Sequence, residues 1–282
     1  MSGEFLGVLL RQPKEKIMKS SESLMRVTAM VVIVLALLGC QSTGPTKPVQ
    51  GLATWGVGTD GRVYRWNGTN WAEPNPSARL KQVAVSKQGG AVWGIGEDGR
   101  VYKWNGESWM EPNPEARLNQ ISNMDGNQVW GIGANYRIFR SLNGGVSWDE
   151  PFPALQLKQV AAGSWFNTWG IAPDNRILKY NPNGNAWEEP NANAKLEQID
   201  AWALEGAWGI GSNLRIFKTY DGTTWEEPNP DAGSHQVSGI DDLNAWSVGA
   251  EGRVFQTTNG GSSWSEPNPA ARLKEVSTGY EI

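Results

Sequence analysis

The chain has 282 residues, of which 19% are charged and 39% hydrophobic. Ordinary domains run at about 25% and 45–50%, so its core is lean. One His and one Cys exclude a histidine metal cluster, an internal disulfide and a Cys-x-x-Cys knuckle, and a Ser-His-Asp triad exists only if that lone His is in it. The net charge of −4 hides an acidic body: residues 1–40 hold five basic and three acidic groups, leaving 20 basic against 26 acidic and a net of −6 for 41–282. Such a body is a poor match to nucleic-acid phosphates, and no nucleic-acid partner is expected.

Val27 to Leu38 are nearly all apolar, but twelve residues are too few for a spanning helix, which needs about 20. A basic start, a short apolar run and small residues at the end describe a secretory signal over residues 1–39. Met18 and Met25 would give it a more usual length, which leaves residues 1–17 as an upstream extension. Leu37-Leu38-Gly39-Cys40 resembles the bacterial lipobox, whose Cys is acylated and becomes the new N-terminus. The resemblance implies a cell-envelope lipoprotein held to the membrane only by a lipid on Cys40. Gln41 after the Cys points to the outer membrane under the enterobacterial sorting rule. Residues 40–50, with two prolines and no apolar periodicity, read as a lipidated Cys and a flexible tether.

Beyond residue 50 the chain repeats itself. A Trp before small and aliphatic residues recurs at Trp55, Trp93, Trp130, Trp169, Trp208 and Trp246, at spacings of 37 to 39. A second Trp recurs at Trp71, Trp109, Trp148, Trp187, Trp225 and Trp264. An Arg stands between them each time (Arg62, Arg100, Arg137, Arg176, Arg215, Arg253), and Glu-Pro follows the second Trp six times, four of them extended to Glu-Pro-Asn-Pro. In the second copy the strands are expected at 80–86, 91–96, 100–104 and 108–111, punctuated by Gly-Gly, Asp-Gly and Asn-Gly turns. Prolines and glycines break every window long enough for a helix. Four antiparallel strands about every 40 residues predict an all-β, six-bladed propeller over 51–282. The first copy lacks its opening strand and the last is followed by a spare one, Leu273 to Ser277, so the C-terminal strand is expected to close the first blade.

Val92-Trp93-Gly94-Ile95-Gly96-x-Asp98-Gly99-Arg100-Val101-Tyr102, then Trp109, then Leu118-x-Gln120-Ile121-Ser122, resembles the tectonin repeat. That family includes β-propeller lectins, so the resemblance implies a propeller and a carbohydrate ligand. The family's usual glycine-rich link after the second Trp is here Glu-Pro-Asn-Pro. Ser141-x-Asn143-x-Gly145-x-Ser147-Trp148 and Thr257-x-Asn259-x-Gly261-x-Ser263-Trp264 are similar to Asp-boxes with Asn in place of Asp, as found on turns of sialidases and photosystem-assembly propellers. A sialidase site needs three arginines converging on the axis. Here the arginines hold the same place in every blade and spread round the ring. No blade carries an odd catalytic set, so no enzyme activity is expected. No glycine-rich loop precedes a helix and no EF-hand spacing occurs, so neither cofactor nor metal is expected.

Strand alternation puts the Asp-Gly-Arg turns and the Glu-Pro-Asn-Pro loops on one face. Clefts between blades there would present Glu73, Asn75 and Arg79; Glu111, Asn113 and Arg117; Glu189, Asn191 and Lys195; Glu227 and Asn229; Glu266, Asn268 and Arg272. With nearby Trp rings they make candidate multivalent sugar sites, since sugars need an apolar face and a few aimed polar groups. The repeated Arg (Arg62, Arg100, Arg137, Arg176, Arg215, Arg253) is expected to pair with Asp60, Asp98, Asp174 or Glu251 across the turn. The opposite, Asn-Gly face carries irregular aromatics: Trp66, Trp104 and Tyr180, where other units have Ser141, Thr219 and Thr257, and Trp165 and Trp202 in turns with no evident packing need. His235 reads as standing where other units have Arg79, Arg117, Lys195 or Arg272. The leading reading is a lectin that uses several equivalent clefts. The alternative is a protein-interaction scaffold of the envelope, which would use one patch of irregular residues.

Overall fold

The computed structural model describes residues 51–281. The signal segment, Cys40 and the tether lie outside them. The described residues form six small antiparallel sheets, one per repeat unit, with only two short 3-10 turns besides. The alternation of small or aliphatic residues with Trp in each second strand gives runs that are buried throughout, such as Val129–Ile132 and Ala207–Ile210.

Unit one is built from both ends of the described chain. Its inner strand is Leu273–Glu281, which pairs antiparallel with Gly51–Gly58 from Gly51↔Glu281 to Gly58↔Leu273. Val63–Trp66 and Trp71–Ala72 complete that sheet. Units two and four also have four strands. Units three, five and six have three, and their fourth is reduced to single bridges, Arg140↔Asp149, Lys218↔Glu226 and Gln256↔Ser265. That is a correction to the four strands expected of every unit.

The reason lies in the turns. In unit three Ser141 Oγ accepts a hydrogen bond from Gly145 N at 2.8 Å, and Asn143 Oδ1 accepts one from Ser147 N at 3.0 Å. Thr257 and Asn259 repeat this in unit six. Unit five does the same with Thr219 and Asp221, one residue shorter, a turn that the Asp-box spacing does not flag. Side-chain acceptors replace the ladder bonds. The hydrogen bonds from Thr223 and Thr224 pull the Asp221 carboxyl down to about 2.

The first tryptophans of the units form the seams between sheets, at 0–3% exposure. Each is met by the next unit in one of two ways. Trp104 packs on Trp55, Tyr180 on Trp130 and Trp66 on Trp246, with ring centroids 5.4 to 5.6 Å apart. In the other three seams the turn glycine takes that place: a Cβ on Gly145, Gly222 or Gly261 would run into Trp93, Trp169 or Trp208. Gly145 also has φ of 83°, and its Cβ would sit 2.5 Å from the Trp93 ring. Gly145→Ala is therefore expected to lower stability by about 3 kcal/mol, combining left-handed strain with overpacking. Denaturant unfolding checks this, and a loss under about 1 kcal/mol would contradict the packing.

The inner strands are stitched by a ring of amides. Gln120 Nε2 and Oε1 bond to Val160 O and N, as Gln159 does to Ile199, Gln198 to Val237 and Gln236 to Val276. Gln82 Oε1 accepts from Ile121 N, and Glu275 Oε2 accepts from Val83 N, which completes the circuit. One end of the axis is plugged by the inner turn of unit two. Lys87 Nζ donates to Asp200 Oδ2, Gly239 O and Thr278 O, each at 2.8 Å. Ser86 Oγ bonds Met124 O and Gln88 Nε2 bonds Gly163 O, so this one turn reaches all five other units. Only a narrow polar space of about 80 Å³ remains along the axis.

Candidate functional site

The candidate cleft residues meet, but mostly bond to their own chain. Arg62 pairs with Glu73 at 3.0 Å, Arg100 with Glu111 at 3.1 Å, Arg176 with Glu189 at 3.4 Å and Arg215 with Glu227 at 2.7 Å. Arg253 Nε donates to Glu266 at 3.0 Å, and Arg137 pairs with Glu150. The Arg–Asp pairs expected across the turn occur for Asp60, Asp98 and Asp174. Glu251 does not pair, and Arg253 takes Glu266 instead. Hydrogen bonds donated to Glu73, Glu111, Glu150 and Glu266 hold Arg62, Arg100, Arg137 and Arg253 above the usual range.

The loop asparagines are turn formers. Asn75, Asn113, Asn191, Asn229 and Asn268 each accept, on Oδ1, the backbone N–H two residues on. Asn113, Asn191 and Asn229 also donate to Val146 O, Thr223 O and Ser262 O of the following unit. Arg79, Arg117 and Arg272 fold back onto two carbonyls of their own loops at 2.6 to 2.8 Å. Lys195 alone in this set is exposed with no side-chain hydrogen bond among the described residues. Gly233, bridged to Arg215 as Arg117 is to Arg100, holds the loop-basic position in unit six; His235 lies two residues further on, so the sequence alignment there was out of step.

Three clefts on that face stay open, of about 340, 330 and 260 Å³. Their aromatic walls are Tyr64 with Trp71, Phe139 with Trp148, and Tyr102 with Trp109. Burial pushes the Tyr64 and Tyr102 phenols up, and neighbouring carboxylates add to it.

The irregular aromatics of the other face are packing groups before anything else. Trp104, Tyr180 and Trp66 fill seams as described. Trp202 is buried, 6.3 Å from Trp208 and 5.8 Å from Tyr220, and Trp165 lies 6.2 Å from Tyr180 with Arg140 over its ring. The expectation that these two turns had no packing need for Trp is thus corrected: each Trp covers an aromatic ring of its own unit, and Trp165 also meets Arg140 of unit three.

A cavity lies on this Asn-Gly face, at the seam between units six and one. It has about 710 Å³ and is walled by Trp66, Trp246, Arg65, Asn67, Gln256 and Thr54, among others. Its surroundings are set by a cross-strand pattern. In five units the partner opposite the first Trp is a cation over the ring, at 4.7 to 5.8 Å: Arg65, Lys103, Arg140, Lys179 and Lys218. Burial draws Lys179 below the usual lysine range. In unit six the register pairs Trp246 with Gln256.

Among the described residues no group of three or more His, Cys, Asp or Glu could hold a metal ion. The tectonin domain model matches residues 49–199 and 145–278. Among curated proteins no relative matches. Among solved structures the chain is similar to YCF48 bound to D1 peptide (17% identity, 76% of this chain and 78% of that one, TM-score 0.51). It is similar too to YCF48 from Cyanidioschyzon merolae (17%, 82% and 90%, TM-score 0.51) and to U3-55K (10%, 72% and 73%, TM-score 0.52). At such identities the likeness is one of fold, a β-propeller. With its family model spanning nearly all the described residues, the chain belongs to the tectonin domain family.

Proposed function

We propose that this chain is a non-enzymatic binding propeller of six blades, held at the bacterial cell envelope by a lipid on Cys40, whose ligand is a polypeptide partner. The observation that carries the reading is where polar groups remain available. The Glu, Asn and Arg groups repeated round the ring are engaged with one another, with their own loops or with the next unit, whereas a cavity of about 710 Å³ opens where unit six meets unit one. One irregular patch is what a scaffold needs; a multivalent lectin needs several equivalent sites. YCF48, similar in fold, is a propeller partner to a peptide, and the reading gives this chain the same kind of use. Each repeated Arg has its own Glu, an arrangement that supports binding rather than catalysis. The lipid anchor rests on Leu37 to Cys40, and Gln41 favours the outer membrane.

Sugar binding at the three open clefts is the second reading, supported by their paired aromatic walls. Parallel peptide and glycan arrays separate the two. The expected result is retention of a subset of peptides and a blank glycan array. Binding to glycans alone, weakened by Trp109→Ala but not by Trp66→Ala, would overturn the polypeptide reading.

A further inference from the structure

The seam cavity lies where unit six departs from the other units. In the five other units a cation covers the first Trp, and in two of them it ends against the inner turn of the next unit: Lys103 Nζ reaches Gly126 O and Lys218 Nζ reaches Asp242 O, both at 3.4 Å. In unit six the cation is replaced by Gln256, whose side-chain amide makes no hydrogen bond to any described residue. In unit one the first two strands come from opposite ends of the described residues, so no turn among the described residues joins them. The space that a cation fills in the other units is therefore filled by none of the described residues here, against the Trp66 and Trp246 rings.

We propose that this cavity takes the lysine or arginine side chain of the partner polypeptide, a proposal that rests on the polypeptide-binding reading above. The indole walls are the same kind of surface that holds the chain's own cations in five units, and cation–π attraction grows as such a site is shielded from water. Gln256 Oε1 is a hydrogen-bond acceptor for an ammonium or guanidinium, whereas Asn67 Oδ1 is held by Thr69 N and Asn70 N of its own turn. Arg65 also lines the cavity, but its charge is paired with Glu281 at 3.1 Å and its guanidinium lies over Trp55. The turns of this face add Glu205, Asp221, Asp241 and Asp242, charges that favour a basic partner over an acidic one.

The test titrates the full chain with acetyl-Gly-Gly-Lys-Gly-Gly-amide and with its norleucine analogue, followed by the indole N–H resonances of Trp66 and Trp246. The lysine peptide is expected to shift both resonances and to bind about tenfold tighter than the norleucine peptide. Gln256→Lys installs the cation that the five other units carry. It should therefore keep the fold, with melting unchanged, and lower lysine-peptide affinity by about tenfold. Gln256→Ala removes one acceptor without adding a charge and is expected to lower affinity by less than Gln256→Lys does. Equal affinity for both peptides, no shift with the lysine peptide, or full binding by Gln256→Lys would overturn the proposal. If array peptides without basic residues bind the chain and Gln256→Lys leaves that intact, this site is wrong while the polypeptide reading stands. Binding to glycans and to no peptide overturns both.

Discussion

Asp200→Asn is expected to lower the stability of the folded chain by about 3–5 kcal/mol. The Lys87 ammonium, with a side chain only 5% exposed, crosses the axis to reach this carboxylate. Without the charge on Asp200 it keeps the carbonyls of Gly239 and Thr278, but its own charge is left buried without a counter-ion. Lys87→Met is expected to cost less, because Asp200 is more open to solvent and still accepts from Ser238 Oγ and Gly239 N. The double variant Lys87→Met with Asp200→Asn should recover part of the loss, since an axis without either charge has nothing to compensate. Denaturant unfolding of the four chains at neutral pH gives the coupling directly. Additive losses in the single variants would mean that the pair does not hold the axis plug.

Glu275→Gln is expected to stabilise the chain, and more so as pH rises. Glu275 closes the amide ring at the one position where the other five units have Gln. On the wall of the narrow axial space and partly buried, its carboxyl is pushed by desolvation up to about 8, against the downward pull of hydrogen bonds from Val83 N and Gln82. The unfolded chain releases this proton near 4.5, so between there and about 8 the native state holds a proton that the unfolded state lacks. Stability carried by that proton is complete below pH 4.5 and declines through this window, by up to about 1.4 kcal/mol per pH unit. A glutamine imitates the protonated acid and is indifferent to pH. The variant should match the native chain near pH 4 and exceed it by about 2–4 kcal/mol at pH 8, or roughly 5–10 °C in melting temperature. An equal difference at both pH values would show that Glu275 does not titrate in the ring.

How far the sequence foretold this varies with the distance over which residues act. The Trp spacing and the spare strand from Leu273 are local patterns, and the sheets and the Gly51↔Glu281 pairing follow them. The pairing of Arg62 with Glu73 was harder to see, because Asp60 lies closer in the chain and competes for the same guanidinium; the fold lets Arg62 take both. The Gln82 to Gln236 series recurs with the repeat and was readable as periodicity, but its purpose appears only once Val160 N and Ile199 N stand opposite the amides. Lys87 acts across 113 residues on Asp200, in a turn that looks like a plain Gly-Gly hairpin. Trp104 in one unit and Gly145 in another looked like unrelated choices, whereas both fill the same space over a neighbouring Trp. The seam cavity lies where unit six has Gln256 in place of a cation, a single change that does not stand out along the chain.

The most direct test of one binding seam, as opposed to several equivalent clefts, is the stoichiometry of ligand binding. Calorimetric titration of the full chain with a basic peptide selected on the array should give one equivalent per chain, abolished by Gln256→Lys and untouched by Glu111→Gln. Three to six equivalents per chain, insensitive to Gln256→Lys, would contradict the account and return the function to the repeated clefts.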